Sequence, residues 1–206
     1  MNALRSLRAL VENRRPLAPP EERCHLCGGA VANEHPHVVD RRQRTLACAC
    51  PACAALCDER QGRYAVVPGR VMVDPACVID GATWDALGIP VRLAFLFFNS
   101  GVARWIALYP SPAGAVEAVL EDGAEALVRA TALARVVQPD VEALLVRGSP
   151  QHGGLEPMLV PIDACYRLVG RVRTHWRGLH GGDRAWQEID ACFAELRARA
   201  LPLGAA

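Results

Sequence analysis

Apolar residues recur at Leu4, Leu7, Leu10 and Val11, with Arg5, Arg8, Asn13 and Arg14 on the rest of the circumference. That three-to-four spacing predicts an amphipathic N-terminal helix. The helix is expected to stop in the Pro-rich stretch RRPLAPPEER, residues 14–23. Further along, RYAVVPGRVMV predicts two short strands about the Pro68-Gly69 turn. DGATWDALGIP predicts a short helix capped by Asp80 or Thr83 and stopped by Gly88 and Pro90. The strongest strand pattern is VRLAFLFFNSGVARWIALYP, two apolar runs joined by Asn99-Ser100-Gly101. Both runs are apolar on successive residues, so the hairpin belongs in a sheet covered on both faces.

After Pro112, the residues Ala115, Val116, Val119 and Leu120 keep a helical spacing, and the pattern resumes from Glu125 to Val137. VEALLVRG and EPMLVPI then predict two strands around the polar loop SPQHGGL. Two helices follow. In the first, Cys165, Leu168, Val169, Val172 and Trp176 share a face; in the second, Trp186, Ile189, Phe193, Leu196 and Ala200 form the apolar stripe. Gly178, Gly181 and Gly182 join them as a helical hairpin. The fold class is α+β. An N-terminal helix and linker (1–23) and a zinc-ribbon-like module (24–58) precede an α+β domain (59–206), a mainly antiparallel sheet with packed helices.

Composition narrows the class. Hydrophobic residues make up 51% of the 206-residue chain, enough for a core without staples, and the formal net charge of +1 provides no field for nucleic acid or anionic lipid. All 23 basic residues are arginine, which reads as the coding bias of a GC-rich genome. The longest apolar run, residues 93–98, is far short of the ~20 residues a membrane span needs. The N-terminus lacks the continuous apolar core of a secretory signal, so the expected compartment is the cytoplasm, where clustered thiols serve metal or redox chemistry.

That context gives meaning to nine cysteines, six of them between residues 24 and 57. Cys24-His25-Leu26-Cys27 and Cys50-Pro51-Ala52-Cys53 are two C-x-x-C turns, the spacing that brings two sulfurs round to one tetrahedral ion. Between them, strands about HVVD and TLACA with RRQR as the turn complete a ribbon. The expected ligands are Cys24, Cys27, Cys50 and Cys53, and the expected ion is zinc, with iron as the alternative. Cys48 could stand in for Cys50, and Cys57, His35 or His37 could replace one thiolate.

CHLCGG and CPAC also resemble the iron-binding knuckles of rubredoxins, although the only aromatic-like side chains within 24–58 are His25, His35 and His37. Elsewhere no nucleotide-binding, hydrolase or metalloprotease motif occurs. Asp163 reads as a helix N-cap, His175 as a helix C-terminal residue, and Cys77, Cys165 and Cys192 as structural thiols. His152 and His180 sit in the polar, Gly-rich loops that could line a site. Arg41, Arg42 and Arg44 read as a solvated turn, which disfavours nucleic acid as a partner. An enzyme is not expected.

From Cys24 nearly to the C-terminus, the phrases CHLCG, EHPHVVD, LACACPACA, WDALGIPVRLAFLFFNS, YPSPAGA, PDVEALLV, LVPIDACYRLVGRVRTHWRGLHGG and WQEIDACFAEL resemble an actinobacterial family of unknown function. Members are encoded beside uptake NiFe-hydrogenase genes. The resemblance implies an accessory role there, with a hydrogenase subunit or maturation factor as the protein partner, and it carries no catalytic residue.

Overall fold

A computed structural model describes residues 22–57, 62–77, 79–111, 114–148, 155–178 and 181–204. The expected N-terminal helix and the loop histidines His152 and His180 fall outside these residues.

Two sheets form. In the smaller, β1 (His37–Asp40) lies between β2 (Thr45–Cys48) and β3 (Tyr64–Val66), all antiparallel. RRQR is indeed the β1–β2 turn. Asp40 holds it by accepting hydrogen bonds from the backbone N–H groups of Arg42 and Gln43, and it also pairs with Arg63. The paired cation holds the Asp40 carboxyl below its usual range. A helix of one turn, α1 (Pro51–Ala55), follows β2.

The larger sheet has seven strands, with β4 (Met72–Val73), β5 (Leu93–Asn99), β6 (Arg104–Ser111), β7 (Gly114–Val119), β8 (Glu142–Gly148), β9 (Leu155–Pro161) and β10 (Leu201–Pro202) ordered β10-β4-β9-β8-β5-β6-β7. Every pairing is antiparallel except β10 with β4. β5 and β8 sit near the centre, and successive residues face opposite layers. Phe95, Phe97 and Leu145 bury against α4 (Ile162–Arg173) and α5 (Asp183–Ala198) through Leu168, Val172, Ile189 and Phe193. Leu96, Ala107 and Leu144 bury on the other side, against Trp84 of α2 (Gly81–Ala86), Val128 of α3 (Asp122–Ala130) and Leu133 of a following 3-10 turn. The unbroken apolar runs thus have the cause expected of them: helices cover both faces.

Asp80 caps α2 as expected, accepting from the Thr83 N–H at 2.7 Å. Three expectations need correction. The strands about Pro68-Gly69 do not share a sheet: Tyr64–Val66 joins the small one and Met72–Val73 the large one. The β5–β6 turn spans residues 100–103, with Asn99 Oδ1 accepting from the Gly101 and Val102 N–H groups and Ala103 at φ 54°. Residues 114–119 form β7 and not a helix. Val116, Ala118 and Leu120 alternate toward the sheet, and pairing with β6 over Ile106 to Ser111 overrides a weak helical spacing made of small residues.

The small sheet rests on the large body. Val39, Ala65 and Leu46 pack into the cluster that contains Phe97 and Ile162, and Arg41 donates to Asp140 Oδ2 at 3.1 Å. A cleft of about 290 Å³ remains between them, lined by Arg41, Arg44, Thr45, Glu117, Asp140 and Tyr166 among others. Arg41 is bound to Asp140 and Arg44 to Glu117, so the charges lining this cleft neutralise one another.

Candidate metal centre

The first C-x-x-C turn is closed by its own backbone. Cys24 N–H donates to the Gly29 carbonyl and Gly28 N–H to the Cys24 carbonyl, both at 2.8 Å. Gly28 takes φ 75°, a conformation that glycine adopts without steric cost. Arg23 and Ala30 bridge beneath the turn. His25, which the sequence gives no role, clasps this turn to the end of β2: its N–H donates to the Cys48 carbonyl at 2.9 Å, and Cys48 N–H returns to His25 Nδ1 at 3.1 Å.

The second turn is built on α1. Pro51 starts the helix at the position where its missing N–H costs nothing. Cys50 is the N-cap, and its sulfur accepts from the Cys53 N–H at 3.4 Å. Both sulfurs of the pair therefore lie on the N-terminal side of α1, facing the first turn.

The four sulfurs of Cys24, Cys27, Cys50 and Cys53 all lie within 4.8 Å of one another. Cys27 and Cys50, from different turns, are 3.9 Å apart. Four metal–sulfur bonds of about 2.3 Å at tetrahedral angles put the sulfurs about 3.8 Å apart. The cluster could hold a metal ion with little movement. Its electrostatics point the same way. The Cys50 N–H, opposed by burial and helped by the N–H groups of Cys27 and Leu26, brings the Cys24 thiol down to about 6. Hydrogen bonds with Cys50 and Cys27, and then burial, push Cys53 up to about 12. Cys24 is thus favoured as the anion while Cys53 holds its proton, which a bound dication would displace.

The other cysteines stand apart. Cys57 donates through its thiol to the Cys53 carbonyl at 3.3 Å. Cys48 is opposite His37 in the β1–β2 register and groups with His35 and His37 instead of the tetrad. Burial raises the thiols of Cys48, Cys57, Cys77, Cys165 and Cys192. Tyr64, from β3, packs with Val38, Ala49 and Ala54, so the module's core borrows one aromatic ring from beyond residue 58.

Asp163 is not an N-cap. Pro161 holds that position, and the Asp163 carboxylate, in the first turn of α4, lies 3.0 Å from His37 Nδ1. That contact joins residues 126 apart in the chain, and no local pattern announces it. Thr174 is the C-cap of α4, and the next residue, His175, gives its N–H to the Val172 carbonyl.

Among the described residues, no helix is long and apolar enough to cross a membrane. No curated protein and no solved structure matches the chain. A family model does match residues 23–200, a span that takes in both C-x-x-C turns, strands β4 to β9 of the larger sheet and helices α4 and α5. The chain therefore belongs to DUF5947, a family of unknown function.

Proposed function

We propose that the chain is a non-catalytic metal-binding accessory protein, in which Cys24, Cys27, Cys50 and Cys53 hold a structural zinc ion. The module so fixed docks a protein partner. The observation that carries this reading is the meeting of two separately built C-x-x-C turns at tetrahedral spacing. Four thiolates fill a tetrahedral ion and leave no position for substrate, which is the mark of a structural site.

Docking is supported by Leu56, which follows α1 and is 86% exposed on the module's surface. The sequence resemblance to a family encoded beside uptake NiFe-hydrogenase genes supports a hydrogenase subunit or maturation factor as the partner and the cytoplasm as the compartment. The second reading is a rubredoxin-like iron protein that carries electrons. The C-x-x-C-G and C-P-x-C turns favour it, as does the Tyr64 ring against the module's core.

Metal analysis with a visible spectrum separates the two. A colourless protein whose tetrad holds zinc supports the structural reading, and a red protein with reversible one-electron reduction replaces it with the electron carrier. Pull-down from a host expressing the hydrogenase tests the partner. Leu56→Glu should keep the metal and lose the capture; unchanged capture moves the docking surface elsewhere.

A further inference from the structure

A second set of donor atoms lies beside the tetrad on the β1–β2 hairpin. His37 and Cys48 are directly opposite in the register, so their side chains leave the same face of the hairpin. His35 approaches from the segment before β1, with its ring centroid 4.8 Å from that of His37. One ring nitrogen of each histidine and the Cys48 sulfur all lie within 4.8 Å of one another.

The two rings are held in one tautomer by partners that can only accept. His35 Nδ1 is 2.7 Å from the Ala32 carbonyl oxygen, and His37 Nδ1 is 3.0 Å from Asp163 Oδ2. In the neutral ring each Nδ1 donates to that partner, which leaves the lone pair on Nε2, where a metal would bind. The His35 side chain is only 4% exposed, yet its Nε2 is buried with no hydrogen-bond partner among the described residues. A buried polar atom without a partner is costly, and an ion in front of it removes that cost. A carbonyl or carboxylate behind a histidine is also the arrangement that orients metal ligands and strengthens them as donors.

We propose that His35, His37 and Cys48 form a second metal site, distinct from the four thiols, for a divalent transition ion of the zinc type. Two imidazoles and one thiolate suit zinc and its substitute cobalt, and poorly suit magnesium or calcium. Three protein donors leave a fourth position open to water or to a ligand from outside the chain. Asp163 is the positioning residue, and through it an ion on the hairpin is tied to α4.

The test uses the full chain loaded with zinc, and separately with cobalt(II), then freed of excess metal. The expected content is two ions per chain, falling to one in each of His35→Ala, His37→Ala and Cys48→Ser. The thiolate-to-cobalt bands of the four-sulfur centre should stay unchanged in those variants. In Cys24→Ser the remaining cobalt should show a one-thiolate spectrum that shifts when azide fills the open position. If that variant does not fold, the same azide shift is read in the wild type and should vanish in Cys48→Ser. Asp163→Asn should weaken the second ion by about 10–100-fold and leave the first alone. Asp163→Glu should restore part of the loss. A single ion per chain that survives all three substitutions overturns the proposal. So does a single ion whose four-sulfur spectrum changes in Cys48→Ser, because that outcome makes Cys48 a ligand of the tetrad. Failure of the tetrad itself reads differently: Cys24→Ser would then leave the metal content unchanged while Cys48→Ser lowers it.

Discussion

Among the described residues, the cysteine-bearing face of the three-stranded sheet buries Cys24, Val38, Ala49 and Ala54, one thiol and three small side chains. The seven-stranded sheet buries Trp84, Leu96, Leu144 and Leu159 on one face and Phe95, Leu145, Met158 and Phe193 on the other. At about 25 cal/mol per Å² the second set can carry a fold by itself and the first cannot. On the proposed reading this difference gives the thiols their purpose: where apolar area runs out, the binding energy of an ion held by the four cysteines would become the stability of the module. The outer face of the small sheet is another matter, since Val39 and Ala65 already belong to the large core.

The largest effects should come from the large sheet and leave the metal untouched. Glu142 is fully buried in β8, gripped by Arg70 at 2.6 and 2.8 Å and by the Gln138 N–H. Arg70→Ala strands that carboxylate and should cost about 3–5 kcal/mol. Leu144→Ala, in the same strand, opens a cavity and should cost about 2–5 kcal/mol. Calorimetry should show the main transition falling by about 2–4 °C per kcal/mol, with metal content unchanged. Loss of metal in either variant would join the two regions into one unit.

Acid should separate the regions by pH. Thiolate sites lose their ion as protons compete, so the module should fail first. In the large body, Glu125 of α3 is one of the carboxyls that respond. Burial pushes its carboxyl up, and the pairs with Arg129 and Arg104 outweigh this, leaving it below the usual value. Its stabilisation is thus complete above the unfolded carboxyl range, near pH 4.3, and is lost only as pH falls below that toward the depressed folded value. Metal release and near-UV circular dichroism followed together should give two separate steps. One coincident step would deny the comparison.

How the sequence foretold each region follows the same division. C-x-x-C is a local device: Gly28, Pro51 and the Cys50 N-cap build each turn from adjacent residues, so the tetrad could be picked out by spacing. The β5 and β8 runs were legible because burial on both faces leaves no polar position to break the pattern. What escaped was set at long range. Arg70 and Glu142 are 72 residues apart, and His37 meets Asp163 across 126. Cys48 looked interchangeable with Cys50 until the β1–β2 register set it against His37. Ala115, Val116, Val119 and Leu120 satisfy a helical spacing although residues 114–119 form β7, and only the partner strand decides between the two.

The smallest effect expected is at Cys57. Its thiol only donates to the Cys53 carbonyl, a bond that a hydroxyl can keep. Cys57→Ser should retain the metal and change stability by no more than about 0.5 kcal/mol. Metal loss there would put a fifth sulfur among the ligands.

A metal held by the four cysteines should hold together the cysteine module and not the sheet. Hydrogen exchange on the chelated full chain, read segment by segment, tests this directly. The predicted result is loss of protection in the two C-x-x-C turns and α1, with β5, β8 and β9 as slow to exchange as before and the main thermal transition nearly unmoved. Protection lost throughout the seven-stranded sheet, or retained in both turns without metal, would contradict it.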